Sequence, residues 1–473
     1  MKKFTKILLI GCLLVMVSCN NWLDVDPKSQ VKDKDLFASE MGFTEALSGV
    51  YSLMTKEGLY GKELTFGWLG VLGQEWTSVP YNYEDDQKYD FENAASEVRI
   101  DSVWTGLYNA IANANKLLKE LEGKENLFSG DNYSIIKGEV LALRAYLHFD
   151  LLRIFGASCA VGMERIAIPY VTEYAPTIFP QEKVGDFVGK VLKDLQDAAK
   201  CLENDPILTG RTVSEIDDNG YLMNRQVHLN YYAVKGLMAR VYLYKGDYAN
   251  AEVCAKEVIG SGCFEWVKQE NLTNESVADL TFSTEHLFAL NIVTLGNIVD
   301  KYLDGGNNSF ALEESRLSEY YGSSYDYRYL YLFKTGVGMS NTLRYLKKYD
   351  QLESVSWAQS YRNKLPLICL PEMYYILAEC RYHSSGDVLE PLNEVCRHRG
   401  VADLSEADLS AFETLLLAEY RKEVIGGGQL FFQYKRLNRS VVPGTDVDLA
   451  GEGRYVIPMP KEELENPGWV SNQ

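Results

Sequence analysis

Two pairs of helix-like segments share one spacing, and this spacing constrains the fold more than any other feature of the chain. The first pair, 231–244 and 248–259, is joined by Lys245-Gly246-Asp247, and the second pair, 371–382 and 388–399, by a stretch that ends in Gly386-Asp387. Apolar residues recur in each segment at the 3.6-residue period of an amphipathic helix. A glycine at a short connection is typical of a helix end. The chain is therefore predicted to be mainly α and built from helical hairpins.

Small residues stand where the two helices of each hairpin would touch. Ala239, followed by Tyr242, and Ala251 beyond the turn match the tetratricopeptide pattern, and Ala378 repeats it more weakly, with Pro391 where a small residue is usual. Stacked hairpins of this kind form a superhelix. Further helices are predicted at 134–155, 182–202 and 412–425.

Long irregular segments separate these helices, at about 60–100, 156–180, 204–228 and 262–365. Loops of this length in a folded chain are usually functional. Alternating residues at 285–291 and 325–331 predict strands or extended pieces. We therefore expect the helical scaffold to carry a loop-rich, partly β face.

The N-terminus has the pattern of a lipoprotein signal peptide, predicted over residues 1–18. Three lysines precede an apolar run at 7–17 that is too short to span a membrane. Val-Ser precedes Cys19, whose thiol would take a diacylglycerol. Leu9-Ile10-Gly11-Cys12 fits the cleavage pattern better locally but leaves too short an apolar run, so Cys19 is preferred. An ordinary secreted protein with a buried Cys19 is the alternative.

After the signal peptide, a lipidated tether at 19–30 and a single domain at 31–473 are predicted, the domain having an N-terminal part of about 31–260 and a C-terminal part of about 261–473. The formal charge of −19 becomes −22 once the three lysines of the signal are removed. So acidic a surface argues against nucleic acid or anionic lipid as a partner bound through basic patches.

Motifs that would indicate catalysis or a cofactor are missing from the sequence: it has no HExxH, GxSxG or Walker loop. A glycosidase needs two carboxylates across a sugar, whereas Glu84-Asp85-Asp86 and Asp217-Asp218 are runs of adjacent acids typical of solvated patches. Cys396 and His398 are two residues apart on a helix-like stretch and point to different faces, which argues against zinc. We predict no enzyme activity, no cofactor and no metal site.

The segment 66–91 is rich in aromatic and polar residues without helical period. Sugars are bound by stacking on aromatic rings and by paired hydrogen bonds from side chains such as Asp and Asn. The predicted ligand-binding residues in this segment are Trp76, Tyr81, Asn82, Tyr83, Asp85, Asp86 and Tyr89. Trp76 could equally be a hydrophobic plug, Trp68 is expected in the core, and Arg144 and Arg240 are expected to be buried ion-pair partners.

Ordered motifs along nearly the whole chain resemble the SusD/RagB family of outer-membrane nutrient-binding lipoproteins. These motifs include Leu143-Arg144-Ala145-Tyr146, Asp326-x-Arg328, Pro371-Glu372-Met373-Tyr374, Tyr420-Arg421-Lys422-Glu423 and Ile457-Pro458-Met459-Pro460. The chain departs from the family pattern at Gly426-Gly427-Gly428-Gln429-Leu430, a stretch that is expected to pack against the scaffold.

The resemblance implies four tetratricopeptide-like helix pairs and a surface-exposed location at the outer membrane. It implies capture of an oligosaccharide, or in some relatives a peptide, without bond cleavage. The partner would be a SusC-type TonB-dependent transporter, over which the lipoprotein sits as a lid. The family's ligand platform would add Asn291, Tyr302 and Asn307 to the early segment. A glycoside hydrolase on a helical scaffold and a structural repeat adaptor are competing hypotheses.

Overall fold

The computed structural model describes residues 34–210, 220–274, 277–306, 308–336, 342–351 and 361–472. The predicted signal peptide, Cys19, the tether, Asn307 and Asp217-Asp218 lie outside these ranges.

Helices form most of the described chain. The longer ones, together with the short α9, are α1 (Glu40–Met54), α2 (Ala94–Leu121), α3 (Asn132–Phe155), α4 (Val184–Cys201), α5 (Tyr231–Lys245), α6 (Tyr248–Ile259), α7 (Leu295–Tyr302), α8 (Glu314–Tyr321), α9 (Tyr327–Tyr331), α10 (Leu370–Ser384), α11 (Leu389–His398), α12 (Phe412–Glu423) and α13 (Leu430–Arg436). Shorter helical turns are Trp68–Leu72, Tyr81–Tyr83, Glu84–Gln87, Glu125–Leu127, Cys159–Gly162, Pro206–Thr209, Arg225–Val227, Glu270–Thr273, Ser283–Glu285, Glu406–Ala411 and Lys461–Glu465.

The helix pairs stack in one array. In the order α1, α2, α3, α4, α5, α6, α10 and α11, each helix packs on the next. The chain is therefore mainly α with a tetratricopeptide-like arrangement, which confirms the predicted fold class. Among the helices of the described ranges, none combines the length and the apolar character that a membrane crossing requires.

The hairpin of α5 and α6 shows why this sequence folds as the spacing predicts. Asn230 caps α5 by accepting a hydrogen bond from the backbone N–H of Ala233 at 2.9 Å. Gly246 ends that helix at a φ of +81°, where a side chain would be strained. Asp247 then caps α6 by accepting from the N–H of Asn250. The buried Ala239 lets the neighbouring helices approach closely.

Buried ion pairs join neighbouring helices of the array. Arg144 on α3 donates two hydrogen bonds of 2.7 Å to Asp194 on α4. Arg240 on α5 donates at 2.6 and 2.7 Å to Glu372 on α10. Both arginines are buried, as predicted.

The strands form two small sheets beside the helices. β1 (His286–Asn291) pairs antiparallel with β5 (Lys364–Cys369), which confirms the strand predicted at 285–291. β2 (Leu312–Glu313), β3 (Phe333–Thr335) and β4 (Leu343–Leu346) form a second sheet in the order β2-β4-β3.

The predicted strand at 325–331 is wrong, because the segment forms α9. Asp326 caps this helix by accepting from the backbone N–H of Arg328 at 2.9 Å. Its carboxylate also holds the Arg328 guanidinium, at 2.9 and 2.7 Å, and so ties the side chain to the helix start. The irregular segment predicted at about 60–100 also ends earlier, because Asn93 caps α2 by accepting from the N–H groups of Ala95 and Ser96.

Candidate ligand-binding face

Residues 66–91 form a loop that we call the early loop. Within it, residues 80–87 form a short helical turn, which we name the Tyr81 turn. The Tyr81 side chain is 86% exposed. Asn82 and Asp85 beside it are exposed as well. Tyr81 belongs to the first half of the turn, Tyr81–Tyr83, and Asp85 to the second, Glu84–Gln87. The turn therefore presents one aromatic ring flanked by an amide and a carboxylate.

A buried network holds the Tyr81 turn from beneath. Arg99 of α2 pairs with the Asp86 carboxylate, which also accepts a hydrogen bond from the Trp68 indole at 3.0 Å. Arg99 donates to the carbonyl of Asn82 at 3.1 Å and lies 3.9 Å from the centroid of the Tyr83 ring. Burial raises the pKa of Asp86 to about 6, and the positive charge of Arg99 opposes that rise.

Four predicted ligand-binding residues of the early loop lie inside it. Trp76 is 2% exposed, and its indole donates to the carbonyl of Phe66 at 2.7 Å. Tyr89 donates to the carbonyl of Leu72 at 2.7 Å, and Tyr83 donates to Glu63 at 2.8 Å. The polar atoms of these three side chains are therefore used in hydrogen bonds within the protein.

The prediction of ligand contact is therefore corrected for Trp76, Tyr83, Asp86 and Tyr89, because these buried side chains have no surface to offer a ligand. The plug interpretation of Trp76 agrees with its place in the core. Trp68 is fully buried, as predicted.

The C-terminal glycine stretch supports the early loop from the other side. Gly428 has a φ of +68°, and a Cβ there would lie 2.6 Å from the carbonyl oxygen of Leu64. The backbone N–H of Gly426 donates to the Glu75 carboxylate at 2.8 Å. Burial raises the pKa of Glu75 to about 7. The departure from the family pattern thus lies against the early loop, where only glycine allows so close a backbone contact.

The second predicted ligand segment contributes one exposed residue. Asn291 ends β1 and is exposed, and its side-chain oxygen accepts from Lys364 at 2.9 Å. Tyr302 is 8% exposed, donates to Glu57 at 2.8 Å and lies under the ammonium of Lys62 at 4.6 Å. The prediction of ligand contact is corrected for Tyr302 as well, because its buried ring packs against Phe66 and Phe310.

Asn291 lines a wide groove of about 1260 Å³ between α1, residues 220–228 and β1. The buried Glu139 accepts hydrogen bonds from the lining residues Tyr51, at 3.0 Å, and Tyr221, at 2.8 Å, and from Arg225 at 2.6 Å. The lining side chains include Ser52, Glu57, Tyr221, Asn224, His228 and Val293. Sequence reasoning missed this groove, although its middle wall falls in an irregular segment that the sequence singled out.

The groove and the Tyr81 turn are linked by a chain of polar contacts. Tyr302 donates to the groove residue Glu57, Lys62 donates to the Tyr302 hydroxyl at 3.5 Å, and Lys62 pairs with Glu63 at 2.8 Å. Tyr83 of the turn donates to the same Glu63. We call the turn and the groove together the loop face.

A backbone bridge fixes the early loop to the second segment. The N–H of Ser78 donates to the carbonyl of Ala311 and the N–H of Ala311 donates to the carbonyl of Ser78, both at 3.0 Å. The N–H of Glu313 adds a hydrogen bond to the Thr77 hydroxyl at 2.7 Å. Two loops far apart in sequence thus form one surface.

The N-terminal half of this chain matches a known family. Residues 21–243 match the SusD-like family model whose description is starch-binding associating with outer membrane. SusD-like protein P38 of Formosa agariphila is 24% identical over 269 residues, which are 56% of this chain and 47% of that protein. The chain thus matches about half the length of this curated relative.

Solved structures match the fold over nearly the whole chain. A SusD superfamily protein from Bacteroides thetaiotaomicron superposes with a TM-score of 0.74 at 21% identity, covering 92% of this chain and 100% of that chain. A structure named laminarin binding SusD-like protein superposes with a TM-score of 0.63 at 18% identity, covering 91% and 100%. The family model over residues 21–243 and these folds agree with the ordered motifs of the sequence.

Proposed function

We propose that this chain is a surface lipoprotein that captures an oligosaccharide and delivers it to a SusC-type TonB-dependent transporter without cleaving it. The observation that carries the proposal is the Tyr81 ring, 86% exposed beside the exposed Asn82 and Asp85. The family's starch-binding description and the structural neighbour named for laminarin binding support a glycan as the ligand.

The chemistry of the Tyr81 turn suits a sugar. An open aromatic ring stacks on the C–H face of a pyranose, and the neighbouring amide and carboxylate can bond pairs of hydroxyls. Arg99 holds the turn from below, so little backbone freedom is lost when ligand binds. Such preorganisation raises affinity by lowering the entropy lost on binding.

Capture without cleavage fits the acids of the turn. A glycosidase places two carboxylates on either side of the scissile bond. Here Glu84 and Asp85 are consecutive residues of one turn, and Asp86 is buried against Arg99. The proposal therefore includes no catalytic step.

Calorimetric titration of Tyr81→Ala with laminarin and with starch-derived oligosaccharides tests the capture site. We expect an affinity at least about tenfold below that of the parent chain, from the loss of ring stacking. Tyr325→Ala is the matched control, because Tyr325 is also widely exposed, at 76%, but lies outside the loop face. Equal affinity in Tyr81→Ala and the parent would refute the site, and sugar release by the purified protein would refute capture without cleavage.

The anchor has its own test. Metabolic labelling with a palmitate analogue should mark the parent chain and Cys12→Ser but not Cys19→Ser. The reverse pattern would move the anchor to Cys12. Co-purification of a TonB-dependent transporter with the labelled protein is expected, and its absence from gently solubilised membranes would contradict the delivery role.

A further inference from the structure

A second pocket, of about 430 Å³, lies between the segment after α3 and the C-terminal segment. Ser158, Val161 and Arg165 line one wall, and Lys435 with Arg454 lines the other. It shares no lining residue with the groove of the loop face. Its volume lies within the range of small-molecule sites, about 300–1,000 Å³.

The charge of this pocket is opposite to that of the whole chain. The chain has 66 acidic and 47 basic residues, whereas the charged lining residues are Arg165, Lys435, Arg454 and a single acid, Glu452. Glu452 is paired with Arg454 at 3.3 Å. Within the described residues, no carboxylate pairs with Arg165 or Lys435, so the pocket has a surplus of positive charge.

Two buried polar groups line the pocket with hydrogen-bonding capacity to spare. Lys435 is 1% exposed, and its ammonium donates one hydrogen bond, of 3.1 Å, to the carbonyl of Ile154 at the end of α3. Ser158 is 2% exposed, and its hydroxyl has no partner among the residues that the structure describes. A buried donor without a partner costs free energy, which a ligand oxygen would recover.

The surroundings of Lys435 disfavour its charged form, an effect that an anion would reverse. Burial lowers the pKa of its ammonium well below the usual range, and the charge of Arg153 lowers that pKa further. A negative charge in the pocket would offset both effects, because it stabilises the protonated amine.

We propose that this pocket binds a small anion, a carboxylate or phosphate group, with Lys435 and Ser158 donating at the base and Arg165 at the mouth. Apolar residues of the lining, among them Phe91, Val161 and Leu449, would pack against the carbon skeleton of an organic acid of about one sugar ring. The pocket is independent of glycan capture at the Tyr81 turn.

Calorimetry on the detergent-solubilised full chain tests this proposal with three probes: glucuronate, inorganic phosphate and glucose. We expect saturable binding of at least one of the two anions and none of glucose at this site. Lys435→Met and Arg165→Gln should each weaken anion binding at least about tenfold, while Arg316→Gln, at a half-buried arginine of α8 outside the pocket, should not. Binding of phosphate alone would identify a free-phosphate site, and binding of glucuronate an organic-acid site.

Arg165→Gln keeps the test decisive if Lys435→Met does not fold, because Arg165 is exposed. Absence of saturable anion binding, or anion binding unchanged in Arg165→Gln, would overturn the proposal. Tyr81→Ala should leave anion binding unchanged, so failure of this pocket and failure of glycan capture are distinguishable.

Discussion

Buried arginines are used differently in the helical array and in the early loop. In the array, Arg144 and Arg240 each pair with one carboxylate of a neighbouring helix. Arg144 also donates to Asn115 and to the carbonyl of Thr172, and Arg240 to the carbonyl of Leu367. Beneath the early loop, Arg99 of α2 pairs with Asp86, donates to a carbonyl of the turn and packs on the face of the Tyr83 ring. Helices already satisfy their own backbone groups, so these arginines only align elements that have their own internal order. The loop has no such internal order, and a converging side-chain network supplies it.

The largest loss of stability is expected when a buried arginine is removed, whether from the early loop or from the array. We expect Arg99→Met and Arg144→Met each to lower the free energy of unfolding by about 3–5 kcal/mol, because each leaves a buried carboxylate unpaired. Urea denaturation measures this loss. At a temperature where both variants stay folded, only Arg99→Met should also lose glycan affinity. An equal loss of affinity in Arg144→Met would show that the loop has no order of its own.

The stability of the folded chain should also depend on pH, through Glu75 of the early loop. Its carboxyl has a pKa of about 7 in the folded chain against the ordinary 4.5, so the folded state keeps a proton that the unfolded chain releases. This protonated carboxyl contributes about 3 kcal/mol to the free energy of unfolding. The contribution is fully present below pH 4.5 and is lost as the pH rises through 7.

Glu75→Gln should therefore flatten the decline of the melting temperature between pH 5 and 7.5, roughly the window in which the proton is lost. Glu84→Gln, an exposed acid of the same loop, is the control and should follow the parent profile. An unchanged profile in Glu75→Gln would mean that the group titrates as it does in the unfolded chain.

The smallest loss of stability is expected from a change at Trp76, the buried plug of the early loop. Trp76→Phe removes the indole hydrogen bond to Phe66 and should lower the free energy of unfolding by about 1–2 kcal/mol, measured by urea denaturation. Glycan affinity should stay unchanged, because the ring is buried. A drop in affinity comparable to that of Tyr81→Ala would indicate that Trp76 contacts the ligand after all.

The array was predictable because its signals are local. The turn glycine, the cap at Asp247 and the apolar period of α5 and α6 all agree with one another, and Arg144 and Arg240 were recognisable as charges on otherwise apolar faces. The error at 325–331 arose where seven residues alternate, since so short a run does not distinguish a strand from a capped helical turn.

The loop face was only partly predictable. A mixed aromatic and polar loop has no period, so its composition does not say that Tyr81, Asn82 and Asp85 point outward while Tyr83 and Asp86 point inward. That division depends on Arg99, which belongs to the next helix. Neither the groove nor the basic pocket could be predicted as a cavity, because each is assembled from segments that meet only in the folded chain.

The bridge between Ser78 and Ala311 has a consequence for the order of folding. The hydrogen bond between Thr77 and Glu313 joins residues 236 positions apart, and contacts of such long range are slow to form. A chain exported from its N-terminus would present the early loop long before its partner segment arrives. Competence to capture ligand should therefore be among the last properties that the folding chain acquires.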